Sequence, residues 1–107
     1  MTANVMVVGS VNMDMVWRVV AMPRRGETMM STGFDMVPGG KGANQAVAAA
    51  RMGARVGLVG CVGDDALGAT LRAGLVAEGI DQQHLRTVQG VASGVAGIQV
   101  DAEGQNS

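Results

Sequence analysis

Short apolar runs alternate along this chain with one-sided apolar stripes, and that alternation predicts an α/β domain. "NVMVVGSV" (4–11) is β-branched and apolar at consecutive positions, the pattern of a strand buried on both faces of a parallel sheet. "MVWRVVAMP" (15–23) mixes polar and apolar positions and closes at Pro23. "RRGETMMSTGFDMVPGG" (24–40) is interspersed with turn formers, which predicts short exposed strands. The period then changes. Ala43, Ala46, Val47 and Ala50 fall at i, i+3, i+4 and i+7, one stripe of a helix, and Gly53 stands where a C-terminal cap belongs. "RVGLVGCVG" (55–63) reads as a second buried strand. Over 64–79 a second helix is expected, capped by Asp64 or Asp65, striped by Leu67, Leu71 and Leu75, and ended by Gly79. Strands follow at 84–90 and 94–100. The final "DAEGQNS" (101–107) is a turn, which leaves the last strand without a return partner. Strand–helix–strand units of this kind imply right-handed crossovers and a parallel sheet with flanking helices.

Composition narrows the function. The length of 107 residues holds one small domain, and 48% apolar residues suffice for a packed core. A net charge of −1 without a block of like charges argues against nucleic acid or an acidic membrane surface as a partner. The amino terminus lacks the basic segment, apolar run and cleavage site of a signal peptide, and no apolar stretch reaches membrane-spanning length. A single cysteine, Cys61, fits a reducing cytosol. Neither Cys61 nor the lone histidine, His84, has neighbours in sequence that suggest catalysis or metal binding. Met13, Met15, Met29 and Met30 are expected as core or half-buried packing.

Candidate chemistry concentrates in "VPGGKGANQAVAAARMGA" (37–54), where glycines abut a strong helix former. A nucleotide P-loop requires Ser or Thr after Gly-Lys to hold magnesium; here Gly42 follows Lys41, and Asp35 occupies the place of the first glycine. A dinucleotide fingerprint requires a third glycine where Gln45 stands. Glycines ahead of a helix still let backbone approach a ligand, with free N–H groups at the helix start, Lys41 as a donor and the Asn44 amide in the first turn. By itself the segment fits a tight turn with ordinary capping as well as it fits such a cradle.

A second cluster, "GSVNMD" (9–14), favours the cradle. It puts Asn12 and Asp14 at the carboxyl end of the first predicted strand, where open α/β sheets bind ligands. Two residues apart in extended chain, they point to one side. A carboxylate that accepts hydroxyl protons beside amides suits a neutral polyol and would repel a phosphate.

The segments "GSVNMD", "PRRGET", "GGKGANQAVAAARMGA", "VGCVGDDALG" and "GVASGVAGIQVDAEGQN" together resemble the amino-terminal part of the ribokinase/phosphofructokinase-B sugar kinases, in order and over nearly the whole chain. The GGKGANQA segment leans towards the ribokinase branch. The resemblance implies a ribokinase-like α/β fold, truncated: a parallel sheet with flanking helices plus a small β lid, built here from 15–36 and 92–107. It implies that Asn12, Met13 and Asp14 contact the sugar from one segment, and Gly40, Lys41, Gly42, Ala43 and Asn44 from the other. For the full-length parent it implies ATP-dependent phosphorylation of D-ribose with Mg²⁺ and K⁺, in the cytoplasm, as a homodimer through the lid. Members of the family are far longer. The G-A-G-D motif that carries their catalytic base, and their nucleotide and cation sites, belong to a carboxyl-terminal part with no counterpart in these residues, so the chain alone is expected to be inactive. Three alternatives stand beside this reading. One is a kinase for another sugar or a nucleoside, and another is a non-catalytic sugar-binding or dimerisation module. The third, a nucleotide-binding piece of an oxidoreductase, needs fingerprint glycines that are missing here.

Overall fold

The computed structural model describes residues 3–107. Its elements are β1 (Val5–Val8), β2 (Asn12–Arg18), β3 (Gly33–Gly39), α1 (Lys41–Arg51), β4 (Val56–Gly63), α2 (Ala66–Ala77), β5 (Leu85–Val88) and β6 (Gly94–Val100). They form two three-stranded sheets. The core sheet is parallel, in the order β1-β4-β5. The second sheet has the order β3-β2-β6, with β2 antiparallel to β3 and parallel to β6.

The steps from β1 to β4 and from β4 to β5 run the same way across the core sheet. Right-handed crossovers in one direction put both helices on one face. Accordingly Ala43 and Ala46 of α1 and Leu71 and Leu75 of α2 share one buried cluster with Val56, Leu58 and Val62 of β4. Val47, Ala50 and Leu67 pack against its margin, completing both predicted helix stripes. Among the described residues no helix or strand covers the opposite face of the sheet. This corrects the expectation of a first strand buried on both sides: Met6 is 48% and Val8 78% exposed, and Cys61 on β4 is exposed too. β1 is also shorter than 4–11, because the chain leaves the core sheet after Val8.

The helix ends follow the sequence closely. Gly53, with φ 98°, takes the left-handed position just past the cap residue Met52, and Gly79, with φ 75°, does the same after Glu78. Asp65 rather than Asp64 caps α2, accepting from the Gly68 N–H at 2.8 Å. Within 24–40 only Gly33–Gly39 pairs as a strand, and the segment before it runs as loop. Of the four methionines expected inside, Met13 is in the core at 1% exposure and Met15 and Met29 are half-buried, but Met30 lies on that loop and is 86% exposed. The last strand does gain the beginning of a return partner. Gln99 and Ser107 exchange two backbone hydrogen bonds, at 2.9 and 3.0 Å, around the turn at 101–105.

The second sheet projects from the core. The radius of gyration is 16.0 Å, against about 13 Å for a compact domain of ~100 residues. Its outer face carries Phe34, Met36 and Val95, each about half exposed. With the bare core face and the open β1 edge, this leaves more apolar surface than a soluble monomer usually shows. The isolated chain should therefore self-associate. Sedimentation velocity is expected to show species larger than the monomer, and a monodisperse monomer with a sharp cooperative melt would overturn this.

Candidate functional site

Three connections join the two sheets, and each is built around glycine. The first, Gly9-Ser10-Val11, carries the chain from β1 into β2. Asn12 and Asp14 therefore open the second sheet instead of ending β1. Alternation along β2 still places them on one face, as their spacing requires, with Met13, Met15 and Trp17 on the other. Asn12 pairs with Gly39 on one side and Gly94 on the other. Neither neighbour has a side chain, and both spaces are used. A Cβ on Gly39 would lie 2.6–2.8 Å from the Asp14 carboxylate, and one on Gly94 would collide with the Asn12 side-chain oxygen. The two polar side chains thus lie over flanking glycines, with Val37 and Ala96 beside Asp14 on the same face.

The second connection is Gly40, between β3 and α1. Its φ of 96° belongs to glycine, and a Cβ there would lie 2.6 Å from the Ser10 carbonyl oxygen. Gly42, in the first turn of α1, rests on the backbone of Gly9 and Ser10. A Cβ on Gly42 would stand 2.5 Å from the Gly9 carbonyl carbon and 2.8 Å from the Ser10 nitrogen. This contact brings the helix start to the strand carrying Asn12 and Asp14. It also consumes one donor of the helix start, since the Ala43 N–H donates to the Ser10 carbonyl at 3.0 Å. The Asn44 N–H makes the first helical bond, to Gly40 at 2.9 Å, and among the described residues no side chain caps the helix. The N–H groups of Lys41 and Gly42 have no acceptor among the described residues. The Lys41 side chain is exposed and forms no ion pair among them. Asn44 is exposed and, with Pro38 and Gly39, lines one end of a groove of about 700 Å³ between α1 and α2. Gly39 is also the residue beneath Asp14.

The third connection leads into β6 through Ser93, which is 6% exposed. Asp65 holds it. The Ser93 N–H donates to Asp65 Oδ2 at 2.8 Å, its hydroxyl donates to Oδ1 at 2.7 Å, and the Gly63 N–H donates to the same hydroxyl oxygen at 2.9 Å. These Ser93 bonds, backbone first, and then the Gly68 N–H hold the Asp65 carboxyl below the usual aspartate range against the opposing effect of burial.

The structure therefore gathers Asn12, Asp14, Gly40, Lys41, Gly42 and Asn44 around one junction. Met13 and Ala43 belong to it by backbone only, because their side chains are in the core. Sequence reasoning missed Gly9, Gly39 and Gly94. Gly39 stood in the quoted glycine run, but its task shows only once the strand pairing is known. Chemically, the junction offers one carboxylate, two amides and backbone donors without an acceptor among the described residues, the carboxylate and Asn12 accommodated by glycines beside them. That set matches the alternating donors and acceptors of a neutral polyol.

Residues 2–107 match the pfkB family carbohydrate kinases. The chain belongs to that family. The ribokinase of Bacillus subtilis (strain 168) is 50% identical to it over 104 residues, covering 97% of this chain and 35% of that enzyme. The crystal structure of ribokinase from Cryptococcus neoformans var. grubii serotype A in complex with ADP superposes with a TM-score of 0.89 at 42% identity, over 99% of this chain and 33% of that one. The Arabidopsis thaliana ribokinase complexed with ribose and ATP gives a TM-score of 0.83 at 33% identity, over 100% and 35%. This pfkB-family chain thus has the ribokinase-like α/β fold and spans about a third of the length of the relatives it matches. No helix among the described residues is long and apolar enough to cross a membrane.

Proposed function

We propose that this chain is the sugar-binding part of an ATP-dependent ribokinase, and that D-ribose binds at the junction of the two sheets. The observation that carries the reading is the placement of Asn12 between Gly39 and Gly94, with the Asp14 carboxylate lying over Gly39. The two polar side chains stand where the side chain of any larger neighbour would have to be. In this reading Asp14 accepts two sugar hydroxyls and the Asn12 and Asn44 amides complete the pattern. The N–H groups of Lys41 and Gly42 donate to sugar oxygens. The second sheet is the lid, a boundary that runs from Asn12 rather than residue 15. Its outer face, where the Trp17 and Phe34 rings lie 5.2 Å apart beside Met36 and Val95, packs on a second copy. The bare face of the core sheet is covered in the full-length enzyme by the remainder of its chain.

The reaction proposed for the full-length enzyme transfers the γ-phosphoryl of ATP to the primary hydroxyl of ribose, with Mg²⁺ neutralising phosphate charge and K⁺ as a second cation. The residues in hand present no carboxylate cluster for Mg²⁺. Among those described, no three His, Cys, Asp or Glu side chains converge as ligands. Asp14 also makes the junction a poor place for a nucleotide phosphate. This chain's part is to hold the sugar in place, which is a substantial share of catalysis in phosphoryl transfer.

Two measurements test the reading. Isothermal titration of the chain with ribose should show saturable binding that Asp14→Ala abolishes. A coupled assay for ADP release, with ribose, ATP, Mg²⁺ and K⁺, should show no ribose-dependent turnover by the chain alone. Turnover above the enzyme-free control would place a base and a nucleotide site within these 107 residues and overturn this division of labour.

A further inference from the structure

We propose that Asp65 and Ser93 are positioning residues for the sugar site: together they clasp the root of β6 to the core and so hold Gly94 against Asn12. The proposal extends the sugar-site reading above to residues that never meet the ligand.

The geometry separates two tasks within one carboxylate. Oδ1 caps α2 by accepting from the Gly68 N–H at 2.8 Å, an ordinary helix-start contact. Oδ2 does something the helix does not need. It accepts the backbone N–H of Ser93 at 2.8 Å, across 28 positions of sequence. The Ser93 hydroxyl ties the knot from the other side, donating to Oδ1 at 2.7 Å and accepting from the Gly63 N–H at the end of β4. Hydrogen bonds to a charged carboxylate are the stronger kind, and here they hold a backbone position as well as a side chain.

The clasp has one residue to act through. Ser93 directly precedes Gly94, the first residue of β6, and Gly94 pairs with Asn12. The Asn12 side chain occupies the space where a Gly94 side chain would be. Moving Ser93 therefore moves the floor beneath the Asn12 amide. The junction around Ser93 has no slack. Added Cβ atoms at Gly63 would collide with the backbone at Ser93 and Val91, and one at Gly68 would collide with the Gly63 carbonyl oxygen. The other two connections, at Gly9–Ser10 and Gly40, depend on glycine contacts and backbone hydrogen bonds, so among the described residues the clasp is the only one of the three made by side chains. Without it, β6 is held by its ladder with β2 and by the short return at 106–107.

Asp65→Asn isolates the second task, because asparagine caps helices as well as aspartate does. It keeps one oxygen for Gly68 and turns an amide NH₂ towards the Ser93 N–H. Amide hydrogen exchange of the 107-residue chain is the readout, with Ser93→Ala as the second variant and Leu75→Ala as a control that loosens the core without touching the clasp. Both clasp variants should exchange at least tenfold faster over Gly94–Val100 and Asn12–Arg18, and the Asn12 side-chain amide resonances should shift. Exchange in β4 and α2 should stay within twofold of the parent for Asp65→Asn. The control should raise exchange in β4 and α2 and leave the Asn12 resonances in place. Faster exchange confined to α2, or spread evenly over the chain as in the control, would reduce the pair to a helix cap and overturn the proposal. The readout needs no sugar. A chain that fails to bind ribose would sink the sugar-site reading and leave the clasp standing, and the converse result would do the reverse.

Discussion

If the sugar-site reading holds, replacing Asp14 by alanine should raise the KM for ribose by roughly thirty- to a thousand-fold in a full-length kinase carrying this segment, while the KM for ATP should hardly move. The magnitude follows from the chemistry. A carboxylate that accepts two hydroxyls, when removed, leaves both without partners in a desolvated site, at a cost on the order of 2–4 kcal/mol. Each 1.4 kcal/mol is about tenfold in affinity. The effect falls on ribose because Asp14 stands on the open face of β2 at the junction, where a phosphate would be repelled. The competing view is that Asp14 serves only the fold. Its side chain makes no hydrogen bond or ion pair among the described residues, so that view has little to rest on. Paired KM values for the two substrates, with a melting curve for each variant, decide between them. An unchanged ribose KM in a folded Asp14→Ala enzyme would remove this residue from the site.

Gly42→Ala should damage the fold and the sugar site together. The new Cβ would meet only backbone, at 2.5–2.8 Å from Gly9 and Ser10, so no side chain can swing aside to admit it. The helix start must back away from the β1–β2 connection. That breaks the Ala43 to Ser10 hydrogen bond and carries the Lys41 and Gly42 N–H groups and Asn44 away from Asn12 and Asp14. Overpacking of this kind costs about 1–3 kcal/mol, which for a domain of this size lowers Tm by at least about 4 °C. Ribose affinity should fall together with stability, by about tenfold or more. Gly74→Ala is the control: it lies in α2 with nothing within 4 Å of its added Cβ, and alanine favours helix over glycine, so its Tm should hold or rise. A Gly42→Ala chain that melts with the parent and binds ribose as well would mean that the close contact between helix start and strand is not needed.

How far the site was legible in the sequence depends on the residue. Asn12 and Asp14 could be read because a two-residue spacing fixes a shared face in any extended strand, whichever sheet that strand joins. The sheet itself could not. Extending β1 to residue 11 assigned them to the core sheet, whereas the chain leaves it after Val8 and starts a new strand. The glycine run before α1 could be read as a backbone approach, but the surface approached, Gly9 and Ser10, lies more than thirty positions earlier and became visible only in the fold. Gly94 and Ser93 carried no signal of their own beyond lying in a segment that resembles the family. A serine and a glycine before a strand describe most loops, and their importance comes from Asn12 and Asp65, which are their neighbours in space only.

The sequence by itself determined the local elements: two helices striped at 3.6-residue spacing and stopped by Gly53 and Gly79, the buried run of β4, and a capping aspartate before α2. These follow from interactions within a few residues, where side-chain period and backbone preference suffice. Only the tertiary structure decided which strands share a sheet, which face of the core sheet both helices cover, and where the polar side chains converge. Those depend on pairings between distant segments and on the direction of each crossover, and an apolar run such as "NVMVVG" reads the same whether its second face is covered or bare.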